Sequence, residues 1–171
     1  MTSGHRIAVI GAPGAGKTTV GHALASRLGL PFVDVDATIE TEQGQLIREI
    51  FADSGEAHFR ALERDATVAA LAEPGVVAVG GGAVLTSEVA DALRDVTVVW
   101  LQVSVAQASR RLGLNQAGVL VLGNLRATLI KQLAERTPVY QNLATISVDT
   151  DHAEVAAIVE QVMAELKEDD R

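Results

Sequence analysis

Residues Gly11 to Thr18 read G-A-P-G-A-G-K-T and satisfy the phosphate-loop pattern G-x-x-x-x-G-K-[ST] at every fixed position. Ordinary residue usage produces such a match at about one position in 30,000, so a chain of 171 residues seldom carries an accidental one. The apolar run Ile7-Ala8-Val9-Ile10 precedes it and an amphipathic helical stretch follows. A strand, a glycine loop and a helix in direct succession make the first βα step of a parallel α/β sheet. Gly11, Gly14 and Gly16 permit backbone angles and close approach that a Cβ would block, so successive N–H groups can converge on phosphate oxygens. The helix expected from about Gly16 adds its positive end. Lys17 would reach the β- and γ-phosphates, and the Thr18 hydroxyl would ligate Mg²⁺. A bare glycine-rich turn is the alternative, and pattern and context together outweigh it. The chain is expected to bind a nucleoside triphosphate.

Short apolar runs alternate with helical patterns along the rest of the sequence. Strands are predicted at Arg6–Ile10, Pro31–Asp34, Val76–Val79, Val96–Leu101 and Ala144–Val148. Helices are predicted near Lys17–Leu28, Asp36–Gln43, Leu46–Phe51, Glu56–Leu71, Ser87–Leu93, Val105–Leu112, Leu125–Glu135 and Ala153–Lys167. In the last helix Val155, Val159, Val162 and Leu166 form one apolar stripe, read as core packing. The alternation implies a parallel sheet covered on both faces, with ligands at the carboxyl ends of the strands. The segment Gly113 to Asn124 shows no clear period and reads as a long loop, the natural place for a lid. One domain over residues 1–171, with the lid at about 113–124, is expected.

Bulk properties limit the partners. A net charge of −8 argues against nucleic acid, which needs a basic face. With no cysteine, thiolate catalysis and Cys-ligated zinc are excluded, and a reducing compartment fits. The first strand begins within six residues of the N-terminus, and no apolar run is long enough to span a bilayer. A cytoplasmic monomer acting on small molecules, with neither membrane nor nucleic acid as partner, is therefore expected. An anionic substrate would need a few placed arginines to create local positive potential.

Four further features bear on the substrate. Asp34 and Asp36, in D-V-D, would share one side of an extended segment. Two carboxylates beside a polyphosphate suggest one near Mg²⁺ through water and one on the acceptor hydroxyl. The alternative is that Asp36 simply caps the following helix. Arg60 and Glu63 stand three apart on a helix, either as a held guanidinium or as a surface ion pair. Val79-Gly80-Gly81-Gly82 ends the third strand, where consecutive glycines bring bare backbone against a ligand unless they are a mere turn. Glu135 to Tyr140 reads E-R-T-P-V-Y and places Arg136 at a helix end that Pro138 helps terminate, where it could equally serve the helix dipole.

In order and spacing, G-A-P-G-A-G-K-T-T, D-V-D followed by Thr38-Ile39-Glu40, F-R-A-L-E, G-G-G-A-V and E-R-T-P-V-Y resemble the shikimate kinases across almost the whole chain. The resemblance implies a three-layer P-loop kinase fold of the nucleoside-monophosphate-kinase type: a five-stranded parallel sheet flanked by helices, plus a mobile lid. It implies transfer of the γ-phosphoryl of ATP to the 3-hydroxyl of shikimate, with Mg²⁺ as cofactor. By the same resemblance, Gly14, Ala15, Gly16, Lys17, Thr18 and Thr19 bind ATP, and Arg111 stacks near the adenine. Lys17 and Asp36 are the implied catalytic pair, Asp36 holding the acceptor hydroxyl and taking its proton. Thr18 and Asp34 lie on the metal side. Arg60 and Arg136 grip the substrate carboxylate, Gly81 contacts the ring hydroxyls, and Phe51 with Phe59 wall the pocket.

The lid departs from the family pattern. Where the family carries Arg-Pro and two aliphatic residues, this chain reads Gly118-Val119-Leu120-Val121, and no basic residue occurs between Arg111 and Arg126. After Asp149-Thr150, where the family often adds a basic nucleotide contact, only His152 is found. Arg126 is one candidate for the missing cation. A kinase of the same fold acting on another hydroxy acid such as gluconate stays open, as does a nucleotide- and shikimate-binding protein with little turnover.

Overall fold

The computed structural model describes residues 4–114 and 119–170. Five strands, β1 (Arg6–Ile10), β2 (Phe32–Asp34), β3 (Gly75–Ala78), β4 (Thr97–Gln102) and β5 (Ile146–Asp149), form one parallel sheet in the order β2-β3-β1-β4-β5. The helices are α1 (Lys17–Leu28), α2 (Val35–Gln43), α3 (Ile47–Ser54), α4 (Glu56–Leu71), α5 (Ser87–Ala92), α6 (Val105–Arg111), α7 (Val119–Leu143) and α8 (Val155–Asp169), with a 3₁₀ turn at Ala83–Leu85. In β1, Ala8 pairs with Val77 on one side and with Val98 on the other. The order of strands thus reverses around β1, and its carboxyl end opens into the crevice where such sheets bind ligands.

Strand periodicity divides the core. Ala8 and Ile10 face one side of the sheet and pack with Val77, Val98, Trp100, Phe59, Leu71 and Tyr140. Ile7 and Val9 face the other and pack with Val99, Leu101, Ile146, Leu24 and the α8 residues Val159, Val162 and Leu166. The apolar stripe of α8 is core, as its spacing predicts, with Val162 fully buried. No helix among the described residues is long and apolar enough to cross a membrane.

The sequence reading and the structure differ most at α7. The expected loop Gly113–Asn124 is helical from Val119, and the expected helix Leu125–Glu135 continues to Leu143. Apolar Val119-Leu120-Val121-Leu122 followed by Gly123 shows no amphipathic period, yet adding turns to an existing helix is cheap once the nucleus has formed downstream. Pro138 lies inside α7 and does not end it. Arg136 is therefore held on a continuous helix, away from either end. Gly118, where the lid pattern breaks, lies outside the described residues.

Leu24 has no exposed surface and fills the α1–α8 side of the core. Leu24→Ala should lower unfolding free energy by about 2–5 kcal/mol, read as a fall in the urea midpoint at constant slope. Ile130→Ala, at a position 48% exposed, should stay within about 0.5 kcal/mol of the parent.

Candidate active site

The phosphate loop runs from the end of β1 to the start of α1. Its geometry requires glycine at Gly11, where φ is +154° and a Cβ would lie 2.8 Å from the Leu101 carbonyl oxygen. Gly16, at φ +90°, is the N-cap of α1, and no side chain caps that helix. Its first turn holds no acid either, so the leading N–H groups and the positive end of the dipole face the loop. The Lys17 Nζ donates to the carbonyls of Gly11 (2.8 Å) and Ala12 (3.1 Å), which folds the side chain back along the loop. Burial lowers the Lys17 pKa to about 8; Asp36 opposes that shift and Arg136 adds to it.

Asp34 and Asp36 do not share an extended segment, because β2 ends at Asp34 and α2 begins at Val35. Asp34, not Asp36, caps the helix: its Oδ1 accepts from the Ala37 N–H at 3.2 Å. Its Oδ2 accepts from the Thr18 hydroxyl at 2.6 Å. Relieved of capping, Asp36 points into the site from the first turn of α2. Its Oδ1 is buried without a hydrogen-bond partner. Burial, then the nearby charges of Glu63 and Asp34, push its pKa up to about 6, against the pull of Lys17. A carboxylate in this state can accept a proton near neutral pH.

Glu63 is 2% exposed, and its Oε1 accepts from Arg60 Nη1 at 2.7 Å, so this is a buried carboxylate steering a guanidinium and not a surface ion pair. Arg60 also lies 3.6 Å from Glu56 and stacks over the Phe59 ring at 5.4 Å. Phe59 itself belongs to the core and packs on Phe51 at 4.8 Å between ring centroids. Arg136 is 8% exposed.

These charged groups converge on Gly80-Gly81-Gly82. A Cβ on Gly80 would lie 2.5 Å from Glu63 Oε2 and 3.3 Å from Asp36 Oδ1. On Gly81 it would meet Arg136 Nη1 at 3.2 Å, and on Gly82 Arg60 Nη1 at 2.7 Å. The run is no mere turn: bare backbone is what lets four charged side chains close in. A cavity of about 370 Å³ lies on one side, lined by Lys17, Thr18, Thr19, Asp34, Asp36 and Gly80. One of about 550 Å³ lies on the other, lined by Arg60, Gly82, Thr128, Gln132 and Arg136. The Arg111 guanidinium donates to the carbonyls of Gly14 (3.1 Å) and Thr150 (2.7 Å), and lines a recess with Gly16, Thr19 and Val155. Its donors tie the phosphate loop to the residue that follows β5. Thr150, just past β5, serves through both its carbonyl and its hydroxyl, which accepts from Arg111 Nη1 at 3.1 Å and donates to the Gln102 carbonyl at 2.8 Å.

Thr18 and Asp34 offer hard oxygen donors on the phosphate side. Two protein oxygens suit Mg²⁺, which keeps several waters and draws its other ligands from phosphates. No group of three or more His, Cys, Asp or Glu side chains fit to hold a metal alone occurs among the described residues.

The raised Asp36 pKa has a stability cost with a definite sign. A carboxyl that titrates near 6 in the fold and at 3.8 otherwise favours folding when protonated. Stability is therefore fullest below 3.8 and is lost as pH rises through 6. Asp36→Asn removes the charge and should be about 1–3 kcal/mol more stable than the parent at about pH 7.5. The difference should shrink to about a third at about pH 4.5, as measured by urea unfolding at both pH values.

Comparison with known proteins agrees along the full length. The shikimate kinase family model matches residues 13–167. A shikimate kinase of Thermobifida fusca is 48% identical over 97% of each chain. A solved shikimate kinase from Acinetobacter baumannii, in complex with shikimate, superposes with a TM-score of 0.88 at 28% identity, over 98% of this chain and 96% of that one. A gluconokinase from Sinorhizobium meliloti reaches only 0.61 at 24% identity, over 98% and 93%, and so shares the fold alone. Matches this long, to relatives this similar, mean that the chain belongs to the shikimate kinase family.

Proposed function

We propose that this chain transfers the γ-phosphoryl of ATP to the 3-hydroxyl of shikimate, giving ADP and shikimate 3-phosphate. The observation that carries the reading is Asp36. An unpartnered carboxylate oxygen with a pKa of about 6 stands between the phosphate loop and the two arginines. The α1 N-terminus with Gly14, Ala15, Gly16 and Thr19 cradles the phosphates, and Arg111 borders the adenine. Arg60 and Arg136 take the substrate carboxylate, since planar guanidinium groups can each donate two parallel hydrogen bonds. Gly81 offers backbone to the ring hydroxyls.

With the acid end gripped, the 3-hydroxyl is held at Asp36. Its proton passes to the carboxylate as its oxygen forms the new bond to the γ-phosphorus. The bond from that phosphorus to the β–γ bridging oxygen breaks, and ADP leaves with that electron pair. Lys17 meets the charge that gathers on the γ-oxygens. Thr18 and, through water, Asp34 would hold Mg²⁺, which would supply further charge neutralisation at the phosphates. Catalysis then rests on positioning and charge neutralisation within one kinase domain.

ADP release with Mg-ATP should be robust with shikimate and negligible with gluconate; turnover of gluconate alone overturns the substrate. Lys17→Met should abolish release while the protein remains folded, because that side chain serves the ligand at the expense of the fold.

Arg60→Lys keeps the charge and loses the fork. Weakening one side of a desolvated ion pair by about 2–5 kcal/mol predicts a shikimate KM raised about 30-fold or more. The KM for ATP should change little. Steady-state kinetics with each substrate varied separately checks both.

A further inference from the structure

The three glycines at the centre of the site have no side chains to hold their peptide planes, and consecutive glycines are the freest backbone a chain can have. Two of the planes are fixed locally. The Gly80 carbonyl accepts from the Ala83 N–H at 3.1 Å in the turn leading into the 3₁₀ segment, and the Gly82 carbonyl from the Leu85 N–H at 3.2 Å at its start. The middle carbonyl is fixed from 59 residues away, where the Tyr140 hydroxyl donates to the Gly81 oxygen at 2.6 Å. Tyr140 is 1% exposed and packs on Trp100, with ring centroids 6.1 Å apart. On α7 it lies one turn beyond Arg136, whose Nη1 is 3.2 Å from where a Gly81 Cβ would stand.

We infer that Tyr140 is a positioning residue for the substrate: its hydroxyl fixes the Gly81–Gly82 peptide and sets the spacing between that peptide and Arg136. A trans peptide points its C=O and N–H in opposite directions, so fixing the Gly81 carbonyl also aims the Gly82 N–H away from Tyr140. The same bond ties α7 to the glycine run close to Pro138, whose missing N–H leaves one helix bond unmade. One arm of the carboxylate clamp and the backbone beneath the ring are thereby held as a unit. Burial pushes the Tyr140 phenol above its ordinary range, so it remains a donor throughout the working pH. The assignment rests on shikimate being the substrate.

Tyr140→Phe keeps the ring and removes the bond. The shikimate KM should rise about tenfold, with the ATP KM within about twofold of the parent and unfolding still cooperative. Trp100→Phe disturbs the same aromatic packing and leaves the hydroxyl in place. It should lower the melting temperature without moving the shikimate KM. Tyr140 is the only tyrosine in the chain, so growth on 3-fluorotyrosine labels this position alone. Its ¹⁹F resonance should shift when shikimate saturates the protein, a readout that does not require Tyr140→Phe to fold. An unchanged shikimate KM in folded Tyr140→Phe overturns the assignment. So does an equal rise in Trp100→Phe, or a fluorine resonance blind to shikimate. Failure of the unmodified protein to turn over shikimate overturns the substrate reading and this role with it, whereas a normal parent beside an unaffected Tyr140→Phe overturns the role alone.

Discussion

The site depends on close approach between charged side chains and bare backbone at Gly80–Gly82. Glu63, Asp36, Arg136 and Arg60 each come so near to this run that a Cβ would have to displace one of them. The elements behind them are far apart in sequence: α2 brings Asp36, α4 brings Arg60 and Glu63, and α7 brings Arg136. The parallel sheet makes this convergence possible, since the connections that follow its strands open at one edge. The glycines then allow the helices to approach that edge more closely than side chains of ordinary size would. Position in the fold and absence of a side chain are two halves of one constraint.

Charge converging in this way is costly without ligands. Lys17 is pushed toward its neutral form and Asp36 toward its protonated form, each chiefly by burial. Both shifts oppose the charge state that the proposed chemistry needs. On the proposed function, phosphates would offer Lys17 the countercharge that the protein only partly supplies, and an acceptor hydroxyl would offer Asp36 the partner its Oδ1 lacks. Part of the ligands' binding energy is thus relief of a strain built into the unliganded protein. Two large core clusters, one on each face of the sheet, supply the apolar burial that offsets this cost.

The phosphate loop, the five strands and most helices were legible in the sequence because each follows from local pattern: a short continuous apolar run in β1, an apolar stripe in α8, glycine at fixed spacing before Lys17. Asp36 and the two arginines were legible as candidates through motifs, yet their surroundings were not. That Asp34 takes the cap and leaves Asp36 free depends on where β2 gives way to α2, a matter of one residue. The burial of Glu63 depends on which face of α4 meets the sheet. Extension of α7 through Pro138 runs against local preference, which places a proline at a helix boundary; contacts of Leu129, Arg136 and Tyr140 with the rest of the protein override it. The bond from Tyr140 to Gly81 spans 59 residues and has no local signature at all.

The remaining tension is between the chain's net charge of −8 and substrates that are themselves anions. At a distance the average field repels both ATP and shikimate, but at physiological ionic strength that field is largely screened within about 8 Å. Within that range the balance is local. Lys17, Arg60 and Arg136 face the cavities at the carboxyl edge, and the helix end behind the phosphate loop adds to them. Asp36 and Asp34 partly offset Lys17, and on the arginine side the buried Glu63 accepts from Arg60. A buried acid that orients a guanidinium reduces net positive charge while sharpening its direction. On the proposed function, discrimination in an acidic protein comes less from attraction of anions in general than from the fit of one carboxylate between two aimed forks and the glycine backbone beneath them.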